Sequence, residues 1–530
     1  MSLPVLTTPE GKAAGDSVLL AVYAPFGTDE TLSGFPDDTT HSVDAHPLVT
    51  ALKQVALSGV HVVALVDRVD DFTWLVEIAA GSTEVVKTSR WKQDMSSARN
   101  LAGFLVYAGQ RHPRASMVLA LEGHGAGYLP EIDRRQQTPT RVTDGGKFEW
   151  HFSDTDAAPV LPGGYPVLPG GYPVLPGGYP VLPVNHMPVS TWGIGRALSL
   201  ARELGAPRPA VIHFNNCFNM SVEVLHTVRQ HADYATGYCN YNFFTSGAAY
   251  PAVFQQLKTQ GHATGRELAT WFGQQNHAQL LPKKNHPTVA GVIELARMDG
   301  IADGVDKLSD AMRVALQGLA GAPREALIKV IRQAIFDAQQ YDSEPGWDLE
   351  APDQLTDLYS LAATLGKEAG AYPSIRDAAN NLAKLLAGIK LYGDSDTPWL
   401  DATGQIRWDF SADTLAMNIF LPDPLRDGLW DWRSPYYVDN NPAQDPPPIQ
   451  PGVIDFLKDT GWVDFLIEYH KDVPFRAFHV GSIPPLPVFN PKYEGPRGNP
   501  PGCGTPRKPW PLGPIARRLI EWLSRHADQG

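Results

Sequence analysis

The chain has 530 residues, 43% of them hydrophobic and 19% charged, enough for about three to four domains and a sizeable core, which excludes a disulfide-stapled mini-protein. No run approaches the ~18 apolar residues of a membrane helix, so a soluble globular protein is expected. The net charge of −13 is spread without blocks of like sign, which argues against nucleic acid or an anionic membrane as main partner and leaves proteins or small molecules.

From Met1 to Gly15 there is no basic segment followed by an apolar one, so no secretory signal is expected. Val18 to Ala24 reads as a buried strand. Leu48, Leu52 and Val55 recur at helical spacing, and Gly59 stops that helix before a second strand, Val60 to Val66. Trp74 to Ile78 is a third strand. Ala98, Leu101, Leu105 and Ala108 line one face of a helix that ends at the turn Gly109 to Pro113, and Met117 to Leu121 is strand four. Ile194, Ala197, Leu198, Ala201 and Leu204 mark a further helix. A strand at Ala210 to Phe214, a helix through Val222, Leu225 and Val228, and a strand at Tyr234 to Tyr238 follow. Short apolar runs alternating with helical periodicity predict an α/β fold with a mostly parallel sheet flanked by helices.

Between strand four and the next helix, Pro159 to Tyr179 is three copies of Pro-Val-Leu-Pro-Gly-Gly-Tyr, with a fourth begun at Pro180 to Pro183. Two prolines and two glycines per copy exclude helix and central strand. A solvated loop of polyproline-like and turn segments is expected, either a plain repeat expansion or a docking or cleavage loop.

Beyond residue 285 the pattern turns mainly helical: Val305, Leu308, Met312 and Leu319; Leu327, Ile331 and Ile335; Ile375, Leu382, Leu386 and Ile389. A short strand at Met417 to Leu421 ends at Pro422, and Gly461 to Tyr469 reads as an amphipathic helix. Pro484 to Pro514 is proline-rich, and Ile515 to His526 is a final helix that docks back on the body. The expected division is residues 1–285 as catalytic domain with 159–183 inserted, 286–480 as a helical accessory region, and 481–530 as a tail.

Reactive groups in a parallel sheet gather beyond the carboxyl ends of its strands. There, strand four runs into Glu122-Gly123-His124-Gly125-Ala126-Gly127, and Ala210 to Phe214 runs into Asn215-Asn216-Cys217. A histidine and a cysteine at neighbouring tips make a dyad in which imidazole activates the thiol. Gly125, lacking a side chain, lets its N–H approach a carbonyl under attack, and the N–H of Cys217 supplies a second oxyanion donor. A helix beginning near Asn219 is expected to set its positive end beside the sulfur. Taken singly, a cysteine on an apolar strand is a small buried hydrophobe and a glycine-rich turn only a turn; their joint placement is the signal. Cys239 and Cys503 lack such context, and His213, inside a strand, reads as a core histidine. His226 and His231 are five apart, and no Cys-x-x-Cys or His-Glu-x-x-His occurs, so no metal site is expected. The odd number of cysteines leaves a free thiol, which fits a reducing compartment and a cytoplasmic protein.

These segments resemble the clostripain-like cysteine peptidases, which share the caspase-type fold. Val-Leu-Ala-Leu-Glu-Gly-His-Gly-Ala-Gly-Tyr at 118–128 is similar to the family's strand followed by His-Gly-x-Gly-aromatic. Phe214-Asn215-Asn216-Cys217, followed by Glu223, is similar to its Phe-Asp-x-Cys with a later Glu. Ala232-Asp233-Tyr234, Asn418 to Pro422 and Gly461 to Tyr469 resemble later landmarks, so the likeness spans residues 15–475.

The resemblance implies His124 as general base and acid, Cys217 as nucleophile, Gly125 as an oxyanion donor, and hydrolysis of peptide bonds through a thioester. Neutral Asn215 replaces the aspartate that helps the family attract basic P1 side chains, which leaves an Arg or Lys preference open; the candidate substrate-binding residues are Asn215 with either Asp233 or a wall of Tyr238, Tyr241 and Phe243, the alternative for these aromatics being core packing. Calcium is possible by resemblance, although no Asp/Asn-rich loop is visible, and no other cofactor is expected. Activation by cleavage between histidine and cysteine, where Arg134, Arg135, Arg141 and Lys147 lie, and control by a regulatory protein partner are further expectations. The alternative is a catalytically inactive, peptidase-like protein-binding module.

Overall fold

The computed structural model describes residues 17–26, 42–67, 72–91, 95, 98–123, 125, 127–128, 167–168, 172–173, 189–240, 242, 247–280, 289–341, 355–395, 399–400, 406–408, 417–421, 454–469 and 471. In chain order, β1 (Val18–Pro25) leads to α1 (Pro47–Leu57), β2 (His61–Asp67), β3 (Phe72–Ile78), β4 (Val86–Trp91), α2 (Ala98–Arg111) and β5 (Ser116–Glu122). Within the Pro-Val-Leu-Pro-Gly-Gly-Tyr repeat, β6 (Val167–Leu168) pairs antiparallel with β7 (Tyr172–Pro173); the rest of the repeat lies outside the described residues. Then come α3 (Thr191–Glu203), β8 (Val211–Asn215), α4 (Val222–Val228), β9 (Tyr234–Tyr238), α5 (Tyr250–Gln260), α6 (Gly265–Leu280) and β10 (Val289–Glu294). The chain continues through α7 (Met298–Gln317), α8 (Ala322–Asp337), β11 (Leu355–Asp357), α9 (Leu358–Glu368), α10 (Pro373–Ala387) and β12 (Lys390–Ser395). It closes with β13 (Trp399–Leu400), β14 (Ile406–Trp408), β15 (Asn418–Phe420), α11 (Asp455–Asp459) and α12 (Trp462–Tyr469).

Nine strands form one sheet in the order β12-β10-β9-β8-β5-β1-β2-β3-β4. The five central strands, β9, β8, β5, β1 and β2, are parallel, and the strands beyond them on both sides are antiparallel. The α/β expectation therefore holds, with a parallel centre and antiparallel margins. Between β2 and β3 the link is four residues, too short for the crossover a parallel neighbour requires. β4 was not anticipated, because Val86-Lys-Thr-Ser-Arg-Trp91 is mostly polar, as suits a strand at the sheet's edge.

β1 is buried along its whole length because helices cover both faces. Leu19, Ala21 and Tyr23 join one core with α2 and α3, whereas Leu20, Val22 and Ala24 join the other with α1, α5 and α6. These contacts cross the expected boundary at 285/286. β10 and β12 lie beyond that point yet extend the same sheet. Val305, Leu308, Met312, Leu327, Ile331, Leu382 and Trp462 from the later helices enter the core that holds Leu19, Ile212 and Cys217. Helical periodicity dominates that half of the sequence and hides the two strands. The tail, with its expected terminal helix, lies outside the described residues. Among the described residues, no helix is long and apolar enough to cross a membrane.

The later region reaches the centre of the molecule through β15. It pairs with β11, forms a parallel bridge from Asn418 to Ser221, and donates the Phe420 N–H to Glu223 Oε1 at 3.0 Å. Trp462, fully buried, donates Nε1–H to the Phe420 carbonyl at 3.2 Å. Trp462→Ala is expected to cost about 3–5 kcal/mol in denaturant unfolding through its cavity. Ile467→Ala, on the exposed side of the same helix, is expected to stay within about 0.5 kcal/mol. Equal shifts from the two substitutions would contradict this packing.

Candidate active site

β5 and β8 are parallel neighbours whose register sets Glu122 opposite Asn215, so both chains leave the sheet at the same level. From β5 the chain turns through Gly123, at φ 94°, toward Gly125, and from β8 it enters Asn216 and Cys217. Gly125 is buried with its backbone against that of Cys217. A Cβ there would overlap the Cys217 carbonyl oxygen, 3.0 Å from the Cys217 nitrogen and 3.1 Å from Asn216 Cβ. Only glycine allows this approach. The two residues expected as oxyanion donors, Gly125 and Cys217, are thus in direct contact. His124, Tyr241 and Phe243 lie outside the described residues.

The turn that carries Cys217 is held in a costly shape. Phe218, buried, has φ 60°, the one positive value among described non-glycine residues, a conformation that costs on the order of 1–3 kcal/mol unless its surroundings impose it. They do. The Phe218 N–H donates to the Asn240 carbonyl at 2.9 Å and the Met220 N–H to the Tyr238 carbonyl at 3.1 Å, tying the turn to the end of β9. Asn418 Nδ2 donates to the Phe218 carbonyl at 2.8 Å and the Cys239 carbonyl at 2.9 Å, while the Asn418 N–H meets the Met220 carbonyl at 2.9 Å.

Cys217 is 3% exposed, and burial pushes its thiol up to about 12 against the opposing pull of the Asn242 N–H, which donates to Sγ at 3.3 Å. The sulfur is therefore a protonated thiol in this arrangement. The expected helix start near Asn219 is corrected: Ser221 is the N-cap and α4 begins at Val222. Those extra turn residues are the ones Asn418 and β9 hold, so the start of a seven-residue helix is not set at the sulfur.

Beneath the turn lies a polar floor. Asn215 Nδ2 donates to Glu122 Oε2 at 2.9 Å, the Tyr250 hydroxyl donates to Glu122 Oε1, and Asn242 Nδ2 donates to Asn215 Oδ1 at 3.1 Å. Burial raises the Glu122 carboxyl from 4.5 to about 7, and these hydrogen bonds only partly offset it. His213, on the same side, is buried against Phe272 with ring centroids 4.6 Å apart, and its Nε2 accepts a hydrogen bond from Asn276 Nδ2 at 3.1 Å. Burial lowers it to about 3, so it is a neutral core histidine.

The three expected substrate-binding residues lie in different surroundings. Asp233 precedes β9 and so lies at the amino end of the parallel strands, opposite Cys217, where it is exposed and paired with Arg208. Tyr238 is fully buried at the end of β9. Asn215 sits two residues before Cys217, but its buried amide is engaged by Glu122 and Asn242. Glu122, Asn242, Tyr250 and the clamp Asn418 had no assigned role from the sequence. The available signal was an acid ending an otherwise apolar strand.

No family model and no curated protein matches the chain. Among solved structures it is similar to a secreted C11 cysteine protease from Bacteroides thetaiotaomicron with an irreversible peptide inhibitor, at 16% identity and TM-score 0.46, over 79% of this chain and 97% of that one. It is also similar to iotapain, a secreted C11 cysteine protease of the same organism, at 11% identity and TM-score 0.48, covering 76% and 93% of the two chains. A third is an inactive zymogen C11 protease from Parabacteroides distasonis, at 13% identity and TM-score 0.45, covering 78% and 93%. The resemblance read from the sequence thus recurs in the structures the chain is similar to, which are C11, clostripain-type proteases.

The cytoplasmic expectation is corrected: two of these proteases are described as secreted. The cysteine count was a poor guide, because Cys217 and Cys239 are both buried, and burial shields a free thiol in any compartment.

The raised Glu122 carboxyl makes stability depend on pH. The folded state holds this proton up to about 7, whereas the unfolded chain releases it near 4.5, so folding weakens as pH rises through that window and then levels off. Relative to Glu122→Gln, the wild type is expected to lose up to about 3 kcal/mol between those limits in urea unfolding, at about 1.4 kcal/mol per unit. A difference that stays constant with pH would contradict the buried acid.

Proposed function

We propose that the chain is a cysteine endopeptidase in which Cys217 is the nucleophile and His124 the general base and acid. The observation that supports it is the seating of Gly125, the residue after His124, on the backbone of Cys217. The imidazole takes the Sγ proton as sulfur attacks the peptide carbonyl carbon, and the N–H groups of Gly125 and Cys217 receive the oxyanion. Collapse breaks the C–N bond, with the proton passing from His124 to the leaving amine. Water, deprotonated by His124, then cleaves the thioester and restores the thiol. Sulfur and imidazole suffice for these steps, and no metal or calcium step is invoked. Among the described residues, no group of three or more His, Cys, Asp or Glu side chains is arranged to hold a metal ion.

The substrates are proteins or peptides. Asn215 is neutral and engaged with Glu122 and Asn242, which weakens the basic P1 preference implied by the family resemblance and leaves the P1 residue open. A thiol pushed up to about 12 is unreactive as it stands, which fits a proenzyme. Cleavage between His124 and Cys217, among Arg134, Arg135, Arg141 and Lys147, is the proposed switch; these residues lie outside those described. The same buried thiol favours the second reading, an inactive peptidase-like binding module.

A cleavage profile over a diverse peptide library separates the two. Wild type is expected to turn over peptides and to yield fragments cut within residues 130–190. Cys217→Ala and His124→Ala, both folded, are expected to lose at least about a hundredfold in rate. Turnover unchanged in either variant would refute the dyad, and a processed wild type with no turnover would leave the binding module.

A further inference from the structure

We propose that Glu122 is a positioning residue for the nucleophile: through Asn215 and Asn242 it holds the backbone N–H that meets the Cys217 sulfur. Four groups form one chain across the tips of three adjacent strands. Glu122 Oε2 accepts from Asn215 Nδ2 at 2.9 Å, Asn215 Oδ1 accepts from Asn242 Nδ2 at 3.1 Å, and the Asn242 N–H reaches Cys217 Sγ at 3.3 Å. The remaining carboxylate oxygen accepts the Tyr250 hydroxyl, which fixes the acid from the helix side. Glu122, Asn215 and Asn242 are each at most 2% exposed, so solvent does not replace a lost partner.

Packing alone does not account for this acid. Val118 and Ala120, which precede it on the same face of β5, are apolar and belong to the surrounding core. A buried carboxyl is costly to ionise there, and an apolar residue would fit the local pattern without that cost. What Glu122 provides is an acceptor for Asn215 at the level where β5 and β8 end. Glu122 thereby ties the β5 tip, which leads to His124, to the β8 tip, which leads to Cys217.

The reactivity of Cys217 reads this directly and does not require peptide cleavage. Iodoacetamide labelling is followed by peptide mapping, with Cys239 as internal reference, in Glu122→Leu, Glu122→Gln, Asn242→Ala and the Leu/Ala double variant. Asn242→Ala keeps the backbone N–H but severs its anchor. Glu122→Leu and Asn242→Ala are each expected to slow labelling of Cys217 about tenfold, the worth of one hydrogen bond, with the double variant no slower than the worse single. Glu122→Gln, whose amide oxygen can accept from Asn215, is expected within about threefold of wild type.

The sign is diagnostic. With labelling done above the Glu122 pKa of about 7, where the carboxyl is ionised, loss of its negative charge alone favours thiolate and speeds labelling, so slowing reports position. Where peptides are cleaved, kcat falls with labelling while KM stays within about threefold. Wild-type labelling rates in Glu122→Leu, faster labelling, or effects that multiply in the double variant would overturn the proposal. If Glu122→Leu does not fold, Asn242→Ala labelling at the wild-type rate overturns it alone. The proposal rests on the peptidase reading only for the kcat effect: labelling that follows the pattern in a chain that cleaves nothing sinks that reading and leaves Glu122 standing.

Discussion

The backbone of Gly125 lies against that of Cys217 so closely that a single methyl group would strike the cysteine carbonyl. Two loops separated by a long stretch of sequence meet there because β5 and β8 are hydrogen-bonded neighbours running the same way. The other features of the site serve that contact. Phe218 is held at a positive φ, and Asn418 clamps the same turn from a region that sequence pattern alone sets apart. A turn fixed by contacts from Gly125, the end of β9 and Asn418 holds the Cys217 sulfur in place better than a loop fixed by its own residues.

Beneath the contact the core carries polar groups where an apolar strand tip would be more stable. Glu122 is buried among Tyr250, Asn215 and the neutral His213 side of the sheet, and its carboxyl is raised to about 7. Such strain between stability and placement is characteristic of functional sites. Burial raises the nearby Cys217 thiol to about 12, so ionising the sulfur requires a partner for its charge.

Much of the fold was readable from local pattern. The buried run at β1, the helix through Leu101 and Leu105, and the helical spacing of Val305, Leu308 and Met312 each follow from one stretch of chain. The antiparallel margins were not readable, because β4 is largely polar and β10 and β12 are short insertions into a helical background. The candidate nucleophile turn and glycine loop were visible as motifs, but what surrounds them depends on distant partners. Tyr250 is 128 residues from Glu122, and Asn418 is 200 from Phe218. Asp233 is a different case. A residue that precedes a strand parallel to β8 must sit at the opposite end from Cys217, so topology already placed it away from the site.

The proposed pairing of sulfur and imidazole is tested most directly by 1,3-dibromoacetone, whose three-carbon bridge joins only nucleophiles a few ångströms apart. On the processed protein the account predicts a covalent link between Cys217 and His124, found by peptide mapping and absent in His124→Ala. A reagent attached to Cys217 alone, or bridged from it to another residue while His124 stays unmodified, would contradict the account.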